Sequence, residues 1–373
     1  MKICYIARGY YAPVRLRSSF LTELGHEVHI ISLHGGESEG FTVHSLEPPA
    51  WLPPHLRYAS MLPAVAKLVR DIDPDVVDVH GMSAYGLFAL IPTRRPVVTT
   101  AYGPDLYFHA AGSRALRTVA QLAARRANLI YASTAAIDGY FRQHLGMDVS
   151  HKLVTRSWGI PTESIFEEPE ARRDALRREL GVEPTTPVLL HSRHIAPLWR
   201  VTDVLDGYIR LLEQRPECVL WFAYPPPTEE GARLLESLQS RCLELGITDS
   251  VRFLGPQSYE RIISLMHASD VYVCVGTGDL LAASVLEAMA TRMVPVLSDL
   301  PAYEEVIRDG VNGYILPEVS GATIARQVGR VLDDLPGHRQ RMGDYNVELI
   351  ASQYDMKTNS KWMVDQYRNL LRH

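Results

Sequence analysis

Short apolar runs alternate with helical stretches from one end of this chain to the other, and that rhythm limits the fold more than any other feature. Lys2–Ala7, Glu27–Ser32, Val76–His80, Pro96–Thr100 and Leu129–Ala132 read as strands, with Phe41–Leu46 as a weaker one, and Lys152–Arg156 ends this half. Between them Val14–Leu24, Leu62–Ile72, Ala84–Ile91, Ser113–Arg126 and Thr134–Leu145 have helical spacing, the first closing at Gly25. Strands so continuously apolar are covered on both faces, which calls for parallel sheets flanked by helices.

The rhythm breaks once, at the proline- and glutamate-rich segment Pro161–Pro169, which reads as a linker after a proline-rich surface turn earlier at Pro48–Pro54. It then restarts. Pro187–His191, Val219–Ala223, Val251–Leu254, Asp270–Val275 and Val294–Leu297 read as strands. Arg172–Leu180, Val201–Glu213, Glu229–Leu245, Tyr259–His267, Ala322–Leu335 and Met356–Leu371 read as helices. A chain of 373 residues suits two domains. The expected division is 1–163, 164–352 and a C-terminal helix over 353–373. The fold class is α/β, with two doubly wound, Rossmann-like parallel sheets facing a central cleft. Ligands of such sheets bind beyond the strand C-termini, at the switch point.

Composition excludes several classes. A net charge of −5 argues against a general nucleic-acid binder. No apolar run is long enough to cross a bilayer, and Met1–Leu33 lacks the pattern of a signal peptide, since Arg8 follows a short apolar run at once. Cys4, Cys218, Cys242 and Cys274 are scattered, without C-x-x-C, and read as buried small hydrophobes in a reducing compartment. The 14 histidines lack ligand spacing, and neither H-E-x-x-H nor a carboxylate pair suited to Mg²⁺ occurs, so the expectation is no metal and no cofactor. No G-x-S-x-G elbow is present, and no G-x-G-x-x-G follows the first strand, which disfavours a hydrolase and a nicotinamide dehydrogenase.

The richest stretch is Val275–Asp299. An apolar strand leads into a glycine-rich turn, a short helix and a second apolar strand, with Asp279 and Glu287 eight residues apart across the helix start. Backbone N–H groups at a helix N-terminus suit phosphate, and a carboxylate two turns on can accept both hydrogen bonds of a ribose diol. The segment could hold the sugar, phosphates and ribose of a nucleotide-sugar.

These residues carry a resemblance. Ser284, Leu286, Glu287, Ala288, Met289 and Ala290, followed by Val294-Pro295-Val296, resemble the G-x-x-x-x-L-E-A-M-A segment of retaining glycosyltransferases of the GT-B fold, family 4. The likeness extends over nearly the whole chain. It implies that Glu287 contacts the ribose. Asp279 stands at the first glutamate of the family's E-x7-E pair, one methylene shorter, with Leu280 and Leu281 beside the sugar and phosphates. Ser192-Arg193-His194 through Trp199-Arg200-Val201 resembles G-R-L-x-x-x-K-G, so Arg193 and Arg200 are candidate phosphate ligands, although Trp199 falls where lysine is usual. Positive charge there would stabilise a departing nucleoside diphosphate. Tyr224-Pro225-Pro226-Pro227 departs from the family's glycine-rich turn, and Pro256 and Gln257 are weaker candidates for base contact.

In the first half, Gly9 is a candidate for backbone contact with the diphosphate. Arg15 and Arg17 read by default as solvated surface residues, an anionic acceptor being the alternative. His80 at a strand end and Asp105 in Tyr102-Gly103-Pro104-Asp105 are candidates for acceptor contact or deprotonation, against structural roles for each. The site expectation is therefore Asp279, His80 and Asp105 as catalytic, and Arg193, Arg200, Glu287, Leu280, Leu281 and Gly9 as donor-binding. The resemblance further implies a retaining, metal-independent hexosyltransferase. A UDP-sugar is the commonest donor, with GDP-mannose and ADP-glucose open. The acceptor would be a glycan, a lipid-linked or a small molecule, and the location cytoplasmic with peripheral contact at the inner membrane face open. The alternatives are a degenerate nucleotide-sugar binder of the same fold, or a nucleotide-sugar epimerase.

Overall fold

The structure is a computed structural model, and it describes residues 1–103, 105–166 and 170–372. The chain forms two compact units, Met1–Trp158 with Met356–His373, and Gly159–Asp355. Of the linker expected over Pro161–Pro169, Thr162–Phe166 forms a short helix and 167–169 lie outside the described residues.

The first unit is built on seven strands: β1 Lys2–Ile6, β2 Glu27–Ser32, β3 Thr42–Ser45, β4 Val76–His80, β5 Val97–Ala101, β6 Leu129–Ala132 and β7 Leu153–Thr155. They lie in the order β3-β2-β1-β4-β5-β6-β7, every pairing parallel. The order reverses between β1 and β4, so the loops after Ile6 and His80 flank the switch point. One face of β1 packs Ile3 and Tyr5 against Val14 and Leu21 of helix Ala12–Glu23 and against Met363, Val364 and Tyr367 of helix Met356–Leu370.

That face contains a buried charge that contradicts the solvated reading of Arg17. Its side chain is 2% exposed, and its guanidinium lies 4.6 Å from the Trp158 ring centroid and 5.1 Å from that of Tyr131. A guanidinium stacks on aromatic faces and is weakly hydrated, which makes burial tolerable. Sequence spacing along helix Ala12–Glu23 could not reveal this, because the rings come from Tyr131 and Trp158, far along the chain.

The second unit has six strands: β8 Val188–His191, β9 Val219–Ala223, β10 Val251–Gly255, β11 Val271–Cys274, β12 Val294–Ser298 and β13 Tyr314–Leu316. Their order is β10-β9-β8-β11-β12-β13, again parallel throughout, with the reversal between β8 and β11. Strand β13 and helix Leu335–Gln353 are additions to the sequence reading. The reading closed a helix at Leu335 before Pro336, yet proline is well tolerated in a first helical turn, and Asp334 caps the new helix by accepting from the Gly337 N–H at 3.2 Å. The expected helix Thr134–Leu145 divides into Ile137–Tyr140 and a wider π-helical turn over Phe141–Leu145.

Candidate active site

At the switch point of the second sheet, β8 delivers Ser192 and Arg193, and β11 delivers the turn Gly276–Ala282. The turn ends at Ala282, which has no side chain to cap the helix Ala283–Ala290. Arg193 sits against the start of that helix. Its Nη1 donates to Ser284 Oγ at 3.1 Å, and its Nη2 is 3.2 Å from Asp279 Oδ2. The guanidinium carbon lies 3.8 Å from the centroid of the Trp199 ring. Burial is the largest single influence and works against the charge, but Asp279, with Cys274, Tyr272 and Tyr303 beside it, together outweigh burial and hold the Arg193 pKa above the ordinary guanidinium value.

Gly276 is required by the same packing. A Cβ there would stand 2.7 Å from Cε3 of Trp199, and the next residue ties the two loops together through Thr277 N–H to Leu198 O at 2.9 Å. Trp199, which departs from the family's lysine, is therefore the plate on which Arg193 lies.

Asp279 is buried, and burial raises its pKa. Arg193, the Tyr303 hydroxyl, which donates to Oδ2 at 2.9 Å, and the Leu280 N–H all pull in the other direction. Leu280 and Leu281 themselves are 7% exposed. Glu287, one turn beyond Ser284, is 6% exposed, and burial pushes its pKa up to about 7. The Tyr259 phenol faces this carboxylate without closing a well-formed hydrogen bond, and Arg193 is near enough to favour its ionised form. The structure thus brings Arg193, Asp279, Leu280 and Glu287 together.

Arg200 is not part of this contact set. Its backbone takes the left-handed conformation (φ 49°), and its Nε donates to Asp203 Oδ2 at 2.9 Å, within the first turn of helix Val201–Leu212. Tyr303 and Trp199 are the contributors that the sequence reading missed. An aromatic residue 24 positions beyond Asp279 carries no local signal, whereas Trp199 was visible as a bulky residue where positive charge was expected.

In the first unit, the N–H of Gly9 is given to Ser32 Oγ at 3.0 Å, and a Cβ would stand 2.6 Å from Gly35 O. Close packing of two loops explains this glycine, and its amide is not turned outward for a phosphate. Asp105 accepts from Ser83 Oγ at 2.7 Å and from the N–H groups of Met82 at 3.0 Å and Tyr102 at 3.3 Å. It fastens the loop after β4 to the loop after β5, a structural role of the kind weighed against acceptor contact or deprotonation. Pro104, within the same motif, lies outside the described residues. His80 is 5% exposed, with Nδ1 3.0 Å from the Tyr102 hydroxyl and Nε2 3.8 Å from Asp78 Oδ1. Burial drives its pKa down to about 4, so the ring is neutral at physiological pH.

No group of three or more His, Cys, Asp or Glu side chains among the described residues is placed to hold a metal ion, and no helix is long and apolar enough to cross a membrane.

Two doubly wound parallel sheets, with an arginine, a helix start and a buried glutamate at one switch point, form a site suited to a ligand that carries phosphate and hydroxyl groups. Comparison with known proteins agrees. Residues 172–348 match the family described as glycosyl transferases group 1, and residues 2–134 match glycosyl transferase 4-like. The chain belongs to this glycosyltransferase family and has the GT-B fold. It is 24% identical to N-acetyl-alpha-D-glucosaminyl L-malate synthase of Bacillus anthracis, over 94% of this chain and 90% of that protein. It is 26% identical to alpha-D-kanosaminyltransferase of Streptomyces kanamyceticus over 54% of this chain, spanning only half of that protein. Among solved structures, Anabaena Alr3699/HepE in complex with UDP superposes with a TM-score of 0.82 at 18% identity, over 99% of this chain and 100% of that one. WaaG, a glycosyltransferase involved in lipopolysaccharide biosynthesis, gives 0.76 at 16% identity, over 98% and 99%.

Proposed function

We propose that this protein transfers a hexose from a nucleoside-diphosphate sugar, most simply a UDP-sugar, to a hydroxyl acceptor with the anomeric configuration kept. The observation that carries the reading is the half-buried Arg193 guanidinium, held on the Trp199 ring and joined to Ser284 at the start of the helix that bears Glu287. A diphosphate there would meet a bidentate cation and the helix N-terminus, and both are most useful as charge builds on the leaving group. Glu287, one turn along, would take the ribose diol.

In the step, the bond from the anomeric carbon to the phosphate oxygen breaks and the diphosphate leaves with the electron pair. The acceptor oxygen bonds to the same face of that carbon, and its proton passes to the departing phosphate. Asp279 would then be a positioning group. Its carboxylate is held by Tyr303 and Arg193, which favours orientation of the guanidinium over attack on the sugar. From the first unit, His80 remains the candidate for acceptor contact, as a neutral hydrogen-bonding ring. UDP is supported by the complex reported for Anabaena HepE, and a small polar acceptor by the malate named in the Bacillus anthracis relative. No bound metal is needed in this reading, with Arg193 and the helix start supplying the positive charge.

The test is a donor screen. Thermal shift with UDP, GDP and ADP selects the base, because a ligand of the folded state raises Tm with its affinity and concentration. Transfer from the matching nucleotide-sugar then follows by product mass. Saturable nucleotide binding without transfer or donor hydrolysis, across malate, sugar and glycan acceptors, would overturn the catalytic reading.

A further inference from the structure

The second unit has another cationic cavity, at the strand ends of its sheet opposite Arg193. It measures about 500 Å³ and is lined by Arg173, Asp174, His267, Thr291, Arg292 and Arg339 among others. Its walls come from segments that precede strands. Asp270 stands just before β11, and Thr291 and Arg292 just before β12, whereas the candidate active site lies after β8 and β11. The two sites therefore sit at opposite strand ends of one sheet.

Charge in this cavity is unbalanced. Asp270 Oδ1 takes Arg173 Nη2 at 3.0 Å and also Arg339 Nη1, while Oδ2 takes Arg177 Nη2 at 2.7 Å and the Val188 N–H at 2.9 Å. Three guanidiniums thus share one buried carboxylate that has no acceptor capacity to spare. Arg177 is a structural member, since its other donors reach the carbonyls of Ala268, Glu183, Pro184 and Thr186. Arg173 and Arg339 have no such set. Nη1 of Arg173 is buried without a hydrogen-bond partner, and burial holds the Arg339 pKa below its ordinary value. Arg292 adds a fourth guanidinium, held by Asp344 on the surface and set by a left-handed backbone (φ 63°). Asp174 is the one carboxylate among the described lining residues, and together with Asp344 on Arg292 it offsets only part of this excess. Guanidiniums out of bulk water, left with unmade donor bonds, favour an acceptor-rich anion.

We propose that this cavity binds a phosphate-bearing small molecule, with Arg173, Arg292 and Arg339 as its ligands, separately from the nucleotide site. Phosphate offers enough acceptor oxygens to engage several guanidinium forks at once, and the volume leaves room for a hexose-sized ester beyond it. Inorganic phosphate and a phosphomonoester share this chemistry.

The experiment is a thermal-shift titration of the full chain at constant ionic strength, with inorganic phosphate in one arm and glucose 6-phosphate in the other, and chloride as the control. A saturable rise in Tm is expected, with an apparent affinity about tenfold weaker in Arg173→Gln and in Arg292→Gln, the loss of a charge-assisted hydrogen bond. Arg193→Gln should leave the response intact. A tighter response to glucose 6-phosphate assigns the ester, and equal responses assign the phosphate group alone. If Arg173→Gln fails to fold because Asp270 loses a partner, Arg292→Gln decides, since its half-exposed guanidinium pairs only at the surface. No saturable rise with either anion, a rise unchanged in Arg292→Gln, or one lost in Arg193→Gln would overturn the proposal.

Discussion

Replacing Glu287 by glutamine probes the electrostatics of the candidate site most directly. Burial lifts the carboxyl pKa from 4.5 to about 7. At a pH below the unfolded value, both states are protonated and folding carries no penalty. As pH rises between the two values, the unfolded chain releases its proton while the folded one keeps it, so stability falls across this window and stays lower above it. A gap of about 2.5 units corresponds to about 3 kcal/mol. Glutamine keeps the shape and removes the titration. Urea denaturation should therefore show Glu287→Gln more stable than the parent by about 3 kcal/mol near pH 8 and equal to it near pH 4. A difference that stays constant with pH would refute burial as the cause. Binding offers a second reading of the same window. A carboxylate accepts both hydroxyls of a ribose diol only when ionised, so UDP affinity of the parent should fall about tenfold per unit below about pH 7, beyond the background from the phosphate's own titration. The glutamine variant carries that background alone. Parallel pH curves for the two proteins would remove Glu287 from the ribose.

Arg193→Lys loses the planar fork and its stacking on Trp199, and kcat should drop about a hundredfold with a smaller change in KM, measured by steady-state transfer. Arg193→Ala goes further by leaving Asp279 buried without its cation, at a cost of about 3 kcal/mol in urea denaturation. Gly276→Ala drives a methyl into the Trp199 ring, which should cost about 1–3 kcal/mol and weaken nucleotide binding together with stability. Arg17→Ala should destabilise by about 3 kcal/mol through a cavity and lost stacking, with Arg17→Met recovering part of it in the same assay. His80→Asn should leave the pH dependence of transfer unchanged between about pH 6 and 8, because the parent imidazole is already neutral there; a lost inflection would show that it titrates in that range.

The doubly wound architecture was legible because it is written locally. The central β-strands of the two sheets are short apolar runs, and such a run needs cover on both faces whatever lies elsewhere in the chain. Elements that depend on context were harder to read. Pro336 looks like a stop until Asp334 is seen capping the helix that starts there, and Tyr314–Leu316 is too short to stand out from a loop. In the site, the resemblance placed Arg193, Asp279 and Glu287 near one another, and the structure gives the reason, since both loops leave strands adjacent at the switch point. The atoms that decide their behaviour could not be placed. The ring beneath Arg193 comes from Trp199, and the hydroxyl restraining Asp279 comes from Tyr303. Asp105 reads identically in sequence whether its oxygens face solvent or hold Ser83 and two amides.

The same limit explains Arg17 and Arg173. Both are ordinary arginines in amphipathic helices by spacing, yet one is enclosed by aromatic rings and the other shares a buried aspartate with two more guanidiniums. Local pattern fixes which face of a helix is turned inward, but the polarity that face meets is set by strands brought beside it from elsewhere in the chain. For an aliphatic side chain this hardly matters. For a guanidinium it separates a solvated residue, a structural cation and a ligand for an anion, and the three are distinguished by nearby charge, unmet donors and open space together: Arg17 also has buried donors unmet, but aromatic rings close over it, whereas Arg173 lines a cavity. That balance is closed around Arg177, whose donors all find carbonyls or Asp270, and open at Arg173, which is why the second of these, and not the first, points to a missing anion.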